Sequence, residues 1–143
     1  MQQKTLDLYS KVGGWLVFSI ALLVYWLTVE PTVSYWDAGE YIATSSKLQV
    51  GHPPGAPFFQ LLGAFFSIFA FTNSQIALAV NSISVVSSAF VVAFMFWSIV
   101  LLFKKFIKIN EVTDQKKYAV LASAFIGSVS FIFTDSFWFN AVE

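Results

Sequence analysis

Two carboxylates three residues apart, Asp37 and Glu40, lie in an aromatic stretch that reads YWDAGEY over residues 35–41. The stretch comes a few residues after a long apolar segment, where the chain would leave a membrane. Tyr and Trp are typical membrane-interface residues, and they would hold the two acids at the depth of lipid headgroups. Shielding by aromatic rings is expected to raise the pKa of a carboxyl group toward that of a general base. Such an acid could deprotonate an acceptor hydroxyl or hold a divalent cation against a phosphate.

A structural role for the same two acids is the alternative. The pattern predicts a short helix over residues 38–48, with Asp37 at its N-cap and Glu40 at its third position. That arrangement is a variant of the capping box, in which the two side chains satisfy free amides of the first turn. One carboxylate could also cap the helix while the other faces a cavity, so the local pattern leaves both roles open.

A single histidine, His52, follows Gly51 and precedes Pro53 and Pro54. The two prolines predict a rigid, non-helical turn that would fix the imidazole near the membrane surface. An interfacial residue with a polar tip is the simpler interpretation. Lys47 could complement a phosphate, or it could extend its amine from the membrane to water.

The composition indicates an integral membrane protein. Of the 143 residues 57% are hydrophobic and only 11% are charged, whereas a soluble domain has about 25% charged residues. The absence of Cys excludes disulfides and cysteine-based metal sites. All the basic residues are Lys and none forms a cluster on a soluble domain, so nucleic acid is not expected as a partner.

Four apolar stretches are candidates for membrane spans, at residues 12–29, 57–71, 75–103 and 118–134. Lysines favour the cytoplasmic side, and they cluster before the first stretch and in the loop after the third. Four spans would place that lysine-rich loop outside, so one stretch must not cross. Residues 57–71 are the candidate, because a helix of that length reaches about 22 Å, short of a hydrocarbon core of about 30 Å.

The predicted fold class is therefore all-α integral membrane, with three transmembrane helices plus outer-face juxtamembrane helices; four transmembrane helices is the alternative. A small and polar stripe on the third stretch predicts helix packing, with Asn81 as an interhelical hydrogen-bond donor. The predicted organisation of residues 1–143 is span 1 at 12–30, an outer loop with surface helices at 31–74, span 2 at 75–103, a cytoplasmic loop at 104–117, span 3 at 118–137, and the start of a second outer loop at 138–143.

Two motifs carry a resemblance to known proteins. Trp36, Asp37, Gly39 and Glu40 form W-D-x-G-E, and residues 51–55 form G-H-P-P-G about a dozen residues later. In this order they resemble membrane glycosyltransferases of the GT-C class, in particular a bacterial family related to a eukaryotic transmembrane O-mannosyltransferase. The likeness covers residues 12–143, and FWFNAVE at the end is similar to the start of that family's next motif. The chain therefore looks like the N-terminal part of a GT-C fold.

The resemblance implies sugar transfer from a polyprenyl-phosphate donor to a protein or glycan acceptor on the outer membrane face. By matching position, Asp37 is the catalytic acid and Glu40 its partner. His52, Trp36, Tyr41 and Lys47 are the expected substrate-binding residues. No cofactor is certain; a divalent metal at Asp37 is the alternative.

Membrane lipid is a further expected partner, and the expected location is the bacterial inner membrane. The N-terminus would be cytoplasmic and the active loop periplasmic. Members of the resembling family have many more spans, so we expect the full-length protein to be the enzyme and this chain alone to be inactive.

Two other functions compete with this one. A transporter subunit would carry ionisable residues inside its spans, and the apolar stretches 12–29, 75–103 and 118–134 contain none. A non-catalytic membrane scaffold would use DAGE only as a helix cap.

Overall fold

The computed structural model describes residues 3–52, 55–107 and 112–143, and every regular element in these ranges is helical. The helices in chain order are α1 (Gln3–Thr28), α2 (Ala38–Ser46), α3 (Pro57–Ser67), α4 (Ile76–Phe106), α5 (Asp114–Ile132) and α6 (Asp135–Val142), with a 3₁₀ turn at Asn73–Gln75 that leads into α4. This confirms the all-α membrane class that composition predicted.

Among the residues that the structure describes, two helical segments are long and apolar enough to cross a membrane, Lys4–Thr28 and Asn73–Phe106. A membrane favours helices here because every backbone amide is satisfied within the segment. Helix α1 begins at Gln3, more than two turns before the predicted start of span 1 at residue 12. Hydropathy did not predict this extension, because the first turns carry Lys4, Asp7 and Lys11.

A third crossing is present only if α5 and α6 count as one segment. The two helices are bent by 63° at the break between Ile132 and Asp135. This break lies inside the predicted span 3 at 118–137, which the pattern had treated as continuous. Helix α3 has 11 residues and reaches about 16 Å, too short to cross a core of about 30 Å.

The lysine-rich loop is shorter than predicted. Helix α4 continues through Lys104 and Lys105, and α5 already begins at Asp114. Half of the predicted loop at 104–117, namely residues 104–106 and 114–117, therefore belongs to the helix ends. Lys108 lies outside the described residues, as do Pro53 and Pro54 of the predicted rigid turn.

The chain divides into two compact units. The first, called here the span unit, comprises Met1–Val24 and Ser88–Trp138; the second, the loop unit, comprises Tyr25–Ser87 and Phe139–Glu143. In the span unit, glycines of α1 accept rings from α4: a Cβ at Gly13 would lie 2.7 Å from Phe96, and one at Gly14 would lie 2.0 Å from Trp97. Such close approach is typical of membrane helix packing.

The loop unit has a small apolar cluster at its centre. Ile42 of α2 and Val80 and Ile83 of α4 are buried together, and partly buried side chains of α3 and α4 pack against them: Phe59, Leu62, Phe66, Ile76 and Ala77. A Cβ on Gly63 of α3 would lie 2.5 Å from the side chain of Ser45 on α2. The glycine therefore lets the two short helices pack at close range.

Hydrogen bonds to backbone fix where the outer-loop segment starts. Asn81 is 4% exposed, and its Nδ2 donates to the carbonyl oxygens of Glu30 and Thr32 at 2.9 and 3.1 Å. The amide of Glu30 donates to the carbonyl of Val142 at 2.8 Å. Asn81 thus anchors a loop, where the sequence predicted an interhelical bond. The end of α6 is joined to the segment that leads into YWDAGEY.

Candidate functional site

The W-D-x-G-E segment makes a strained turn into α2. Trp36 has φ of +60°, a left-handed conformation that is a genuine outlier for a bulky residue and costs of order 1–3 kcal/mol. Its side chain is 93% exposed. Asp37 then occupies the N-cap of α2, but its side chain makes no capping hydrogen bond. The capping-box alternative is therefore wrong for Asp37, whose carboxylate is not used by the helix.

Glu40 is bonded to the other motif. Its Oε1 accepts from the backbone amide of His52 at 2.6 Å, and its Oε2 lies 2.6 Å from the Nδ1 of His52. The two motifs that sequence analysis singled out are thus joined by one carboxylate. A Cβ at Gly51 would lie 2.8 Å from Oε1 of Glu40 and 3.2 Å from Nε2 of Gln60, so a glycine lets the backbone approach the acid.

This contact changes the electrostatics expected for the acids. The two hydrogen bonds from His52, backbone first and side chain second, lower the pKa of Glu40 below 4.5. The expectation that aromatic shielding raises the pKa of the carboxyl groups is therefore wrong for Glu40: donated hydrogen bonds outweigh desolvation. In the other direction, the Glu40 hydrogen bond and charge, with the more distant charge of Asp37, raise the pKa of His52 above 6.5.

Gly55 is hydrogen-bonded to His52. The amide of Gly55 donates to the carbonyl of His52 at 2.8 Å, and Gly55 has φ of +70°. Residues other than glycine rarely adopt this conformation, so the last position of G-H-P-P-G favours glycine.

Asp37 lines a cavity of about 380 Å³. The cavity wall is made by three segments of the loop unit, namely the YWDAGEY stretch with α2 and α3, the first turns of α4, and the end of the chain. Its lining residues are Ser34, Tyr35, Trp36, Asp37, Ala38, Tyr41, Ile42, Phe59, Val80, Asn81, Ser84, Asn140 and Glu143. The wall combines aromatic rings with amide, hydroxyl and carboxylate groups.

Five of the six predicted site residues fall into two groups. Trp36, Asp37 and Tyr41 line the cavity. The ring of Tyr41 packs edge-on against the ring of Phe59, with 5.4 Å between the ring centroids. Glu40 and His52 form their own pair and are not among the lining residues. Lys47 is exposed just after α2 and belongs to neither group.

Metal ligands do not cluster among the residues that the structure describes. Within the described ranges, no three His, Cys, Asp or Glu side chains come together in a group that could hold a metal ion. A divalent cation held by Asp37 together with a substrate phosphate stays a prediction, and we assign no chemical step to a metal.

Sequence reasoning missed part of the cavity wall. Ser84 was interpreted only as a packing residue, and Asn81 only as an interhelical donor, yet both line the cavity. Their spacing of three residues places them on one face of α4, and this was the available signal. The Oγ of Ser34 is buried without a hydrogen-bond partner in the part of the chain described, and nothing in the local sequence predicted that.

Comparison with known proteins gives this arrangement a family. The family described as "Protein O-mannosyl-transferase TMEM260 N-terminal domain" matches residues 37–143. The Dictyostelium discoideum protein O-mannosyl-transferase tmem260 is 44% identical over 52 residues, which are 36% of this chain and 6% of the relative. The Mus musculus protein O-mannosyl-transferase TMEM260 is 32% identical over 87 residues, 61% of this chain and 12% of the relative.

These figures set the extent of the likeness. The chain spans only a small part of the length of both relatives, and no solved structure matches it. The family match covers well over half of the chain and begins at Asp37. The chain belongs to the family of the protein O-mannosyl-transferase TMEM260 N-terminal domain.

Proposed function

We propose that this chain is the N-terminal membrane part of an O-mannosyltransferase-like enzyme, and that Asp37 is its general base. The donor would be a polyprenyl-phosphate-linked sugar and the acceptor a hydroxyl group of a protein. The observation that carries the proposal is the position of Asp37: its carboxylate is not used as a helix cap and the residue lines a cavity, inside the region matched by the family.

The cavity suits a sugar. Its volume of about 380 Å³ is within the range of small-molecule sites, roughly 300–1,000 Å³. Aromatic side chains such as Tyr41 and Phe59 offer apolar surface for the C–H face of a pyranose ring. Asn81 and Ser84 on α4 offer hydrogen-bonding groups to its hydroxyls.

The reaction at Asp37 would proceed as follows. The carboxylate accepts the proton of the acceptor hydroxyl while the hydroxyl oxygen attacks the anomeric carbon of the donor. The bond between that carbon and the phosphate oxygen breaks, and its electron pair leaves on the polyprenyl phosphate. The anion that departs is stabilised by any hydrogen-bond donor beside the phosphate.

The topology is part of the same proposal. Spans at 12–30, 75–103 and 118–137 would place the N-terminus and the lysine-rich loop in the cytoplasm and the cavity on the outer face. Support comes from the joining of Glu30 to Val142, which brings the two predicted outer segments together in the loop unit. The bacterial inner membrane stays a prediction, since the two relatives described above are eukaryotic.

Mutation of Asp37 in the intact protein tests the chemistry. We expect Asp37→Asn and Asp37→Ala to abolish sugar transfer alike, with ordinary expression and melting temperature, because the side chain makes no capping bond. Asp135→Asn, at an exposed acid that does not line the cavity, is the matched control and should transfer normally. Undiminished transfer by Asp37→Asn overturns the assignment. Loss of folding in Asp37→Ala alone would favour the scaffold function.

Topology has its own test, made simple by the absence of cysteine. Single cysteines at Lys47 and at Gln115, both exposed positions, are treated with a membrane-impermeant thiol reagent in sealed cells. We expect labelling at position 47 only. Labelling of position 115 from outside would contradict the proposed orientation.

A further inference from the structure

The contact between Glu40 and His52 has a geometry that fixes an imidazole. One carboxylate oxygen accepts the backbone amide of His52 and the other lies 2.6 Å from Nδ1. A carboxylate can only accept at such a contact, so Nδ1 carries the hydrogen and Nε2 is left for another partner. Two bonds from one residue determine both the position of the His52 backbone and the direction of its ring.

The surroundings leave the imidazole accessible. The His52 side chain is 55% exposed and that of Glu40 is 37% exposed. Gly51 makes the close contact feasible, since a Cβ there would lie 2.8 Å from Oε1 of Glu40. The arrangement therefore holds a histidine firmly on one edge and presents it to the outside on the other.

We propose that Glu40 is a positioning residue and that His52, which it holds, donates a hydrogen bond from Nε2 to the phosphate of the lipid-linked donor. This inference rests on the proposed function, which supplies the phosphate. It replaces the prediction that Glu40 is a second catalytic acid, because both of its oxygens are occupied by His52. Of the two motif acids, Asp37 is then the one that lines the cavity and acts as the base.

The charges around His52 favour the protonated imidazole that this role requires. Glu40 in α2 and Asp37 at its N-cap are the charged groups that act on it, and they raise the pKa of His52 above 6.5. From α3, the residue beside this contact is Gln60, whose side-chain amide is neutral. With Nε2 protonated, His52 donates to an anion and does not take the acceptor's proton. As the bond to the sugar breaks, that N–H stabilises the negative charge that develops on the phosphate oxygen.

Binding of a short-chain polyprenyl phosphate, which carries no sugar, tests the inference without any transfer step. The intact protein in nanodiscs is titrated with this probe at several pH values. We expect His52→Gln to bind about ten-fold more weakly, the loss of a charge-assisted hydrogen bond. Wild-type affinity should fall as the pH rises through the raised pKa of His52. Unchanged affinity and pH profile in His52→Gln would overturn the proposal.

The role of Glu40 is read from the midpoint of that pH profile. Glu40→Gln removes the charge that raises the pKa of His52, so the midpoint should move to lower pH while binding at acidic pH is largely retained. A residue that only supports the fold would lower affinity at every pH and leave the midpoint in place, and that result would contradict a positioning role. The imidazole pKa, measured by NMR with His52→Gln to assign the signal, gives the same answer if Glu40→Gln folds poorly.

The two proposals fail differently. If wild-type and His52→Gln proteins bind the probe equally but Asp37→Asn abolishes transfer, the phosphate role of His52 is wrong and the proposed function stands. If no donor supports transfer but probe binding depends on His52 as described, the proposed function is wrong and the anion site remains.

Discussion

The span unit and the loop unit both use glycine for close approach, but to different kinds of neighbour. In the span unit, Gly13 and Gly14 make room for the rings of Phe96 and Trp97. In the loop unit, Gly51 makes room for the carboxylate of Glu40, and Gly63 for the hydroxyl-bearing side chain of Ser45. The first use maximises van der Waals contact between long helices. The second brings polar groups to defined positions.

The polar contacts differ in the same way. In the span unit they join helices: Lys104 donates to Asp7 at 2.7 Å, and the indole of Trp97 donates to the carbonyl of Ser10 at 3.0 Å. In the loop unit they hold irregular backbone, as Asn81 does at Glu30 and Glu40 does at His52. We infer that the span unit is stabilised by packing, whereas the loop unit positions a cavity wall through hydrogen bonds between side chains and backbone.

The largest expected effect is on the packing of the span unit. In Gly14→Ala the new methyl group would lie 2.0 Å from Nε1 of Trp97, so Trp97 must move and lose its bond to Ser10. We expect the free energy of unfolding to fall by roughly 1–3 kcal/mol, the usual range for an overpacked core. The melting temperature of the intact protein in detergent is the measurement.

Gly127→Ala is the matched control for that variant. A Cβ at Gly127 of α5 meets nothing within 4 Å, and alanine favours a helix over glycine by roughly 0.5–1 kcal/mol. This variant should melt at the same temperature as wild type or slightly higher. Equal losses for the two variants would mean that the approach of α1 to Trp97 does not stabilise the span unit.

A smaller loss is expected when the contact between α2 and α3 is crowded. Gly63→Ala places a methyl group 2.5 Å from Cβ and Oγ of Ser45. Because α2 and α3 are short, they can shift to relieve the contact. We therefore expect the free energy of unfolding to fall by about 1 kcal/mol, the low end of the range for overpacking. The melting temperature and the rate of sugar transfer are the measurements, and both should be lower in Gly63→Ala than in wild type.

Ser45→Gly in the Gly63→Ala background should recover part of that loss, since it removes the atoms that collide. Double-mutant coupling of this kind measures the contact itself. Additive losses from the two substitutions would show that Ser45 and Gly63 do not limit the approach of the helices.

Sequence patterns predicted the helical class and the short length of α3 and singled out the W-D-x-G-E and G-H-P-P-G motifs, because hydropathy and motif spacing are local properties. They failed where a partner distant in sequence decides. The capping-box rule was applied to Asp37 and Glu40, whereas a capping box lies at Thr72 and Gln75 before α4. His52, twelve residues away, binds the Glu40 carboxylate, and nothing between positions 37 and 40 indicates it.

The cavity shows the same limit. Three of its residues were predicted as site residues, since Trp36, Asp37 and Tyr41 belong to one stretch. Its opposite wall on α4 was not, because Ser84 looks like any small residue of a packed helix until the fold places it. The break between α5 and α6 was missed as well, since the residues around Ile132 and Asp135 differ little from a helix that leaves a membrane.

A third prediction concerns the bonds that anchor the loop. Asn81→Leu keeps the side-chain size but removes the donor to Glu30 and Thr32. Water can reach these carbonyls in part, so we expect a loss of about 1 kcal/mol or less. Amides of residue 30 and of residues 32–36 should exchange with deuterium faster. Ser84→Ala, on the same face of α4, should leave their exchange unchanged; the reverse pattern would contradict the anchoring role of Asn81.

The smallest expected effect is the pH dependence of the bond between Glu40 and His52, because both side chains are partly exposed. The pKa of Glu40 is lowered from 4.5, so its contribution is present above pH 4.5 and is lost as pH falls through the lowered value. The pKa of His52 is raised from 6.5, so its contribution is complete below pH 6.5 and is lost as pH rises through the raised value. The bond should thus be strongest between about pH 4.5 and 6.5.

Deuterium exchange at the His52 amide, corrected for intrinsic rates, should be slowest in that window and faster on both sides. Glu40→Gln should flatten the profile, because the neutral amide responds to neither titration; a window that persists in Glu40→Gln would mean that other groups order the turn.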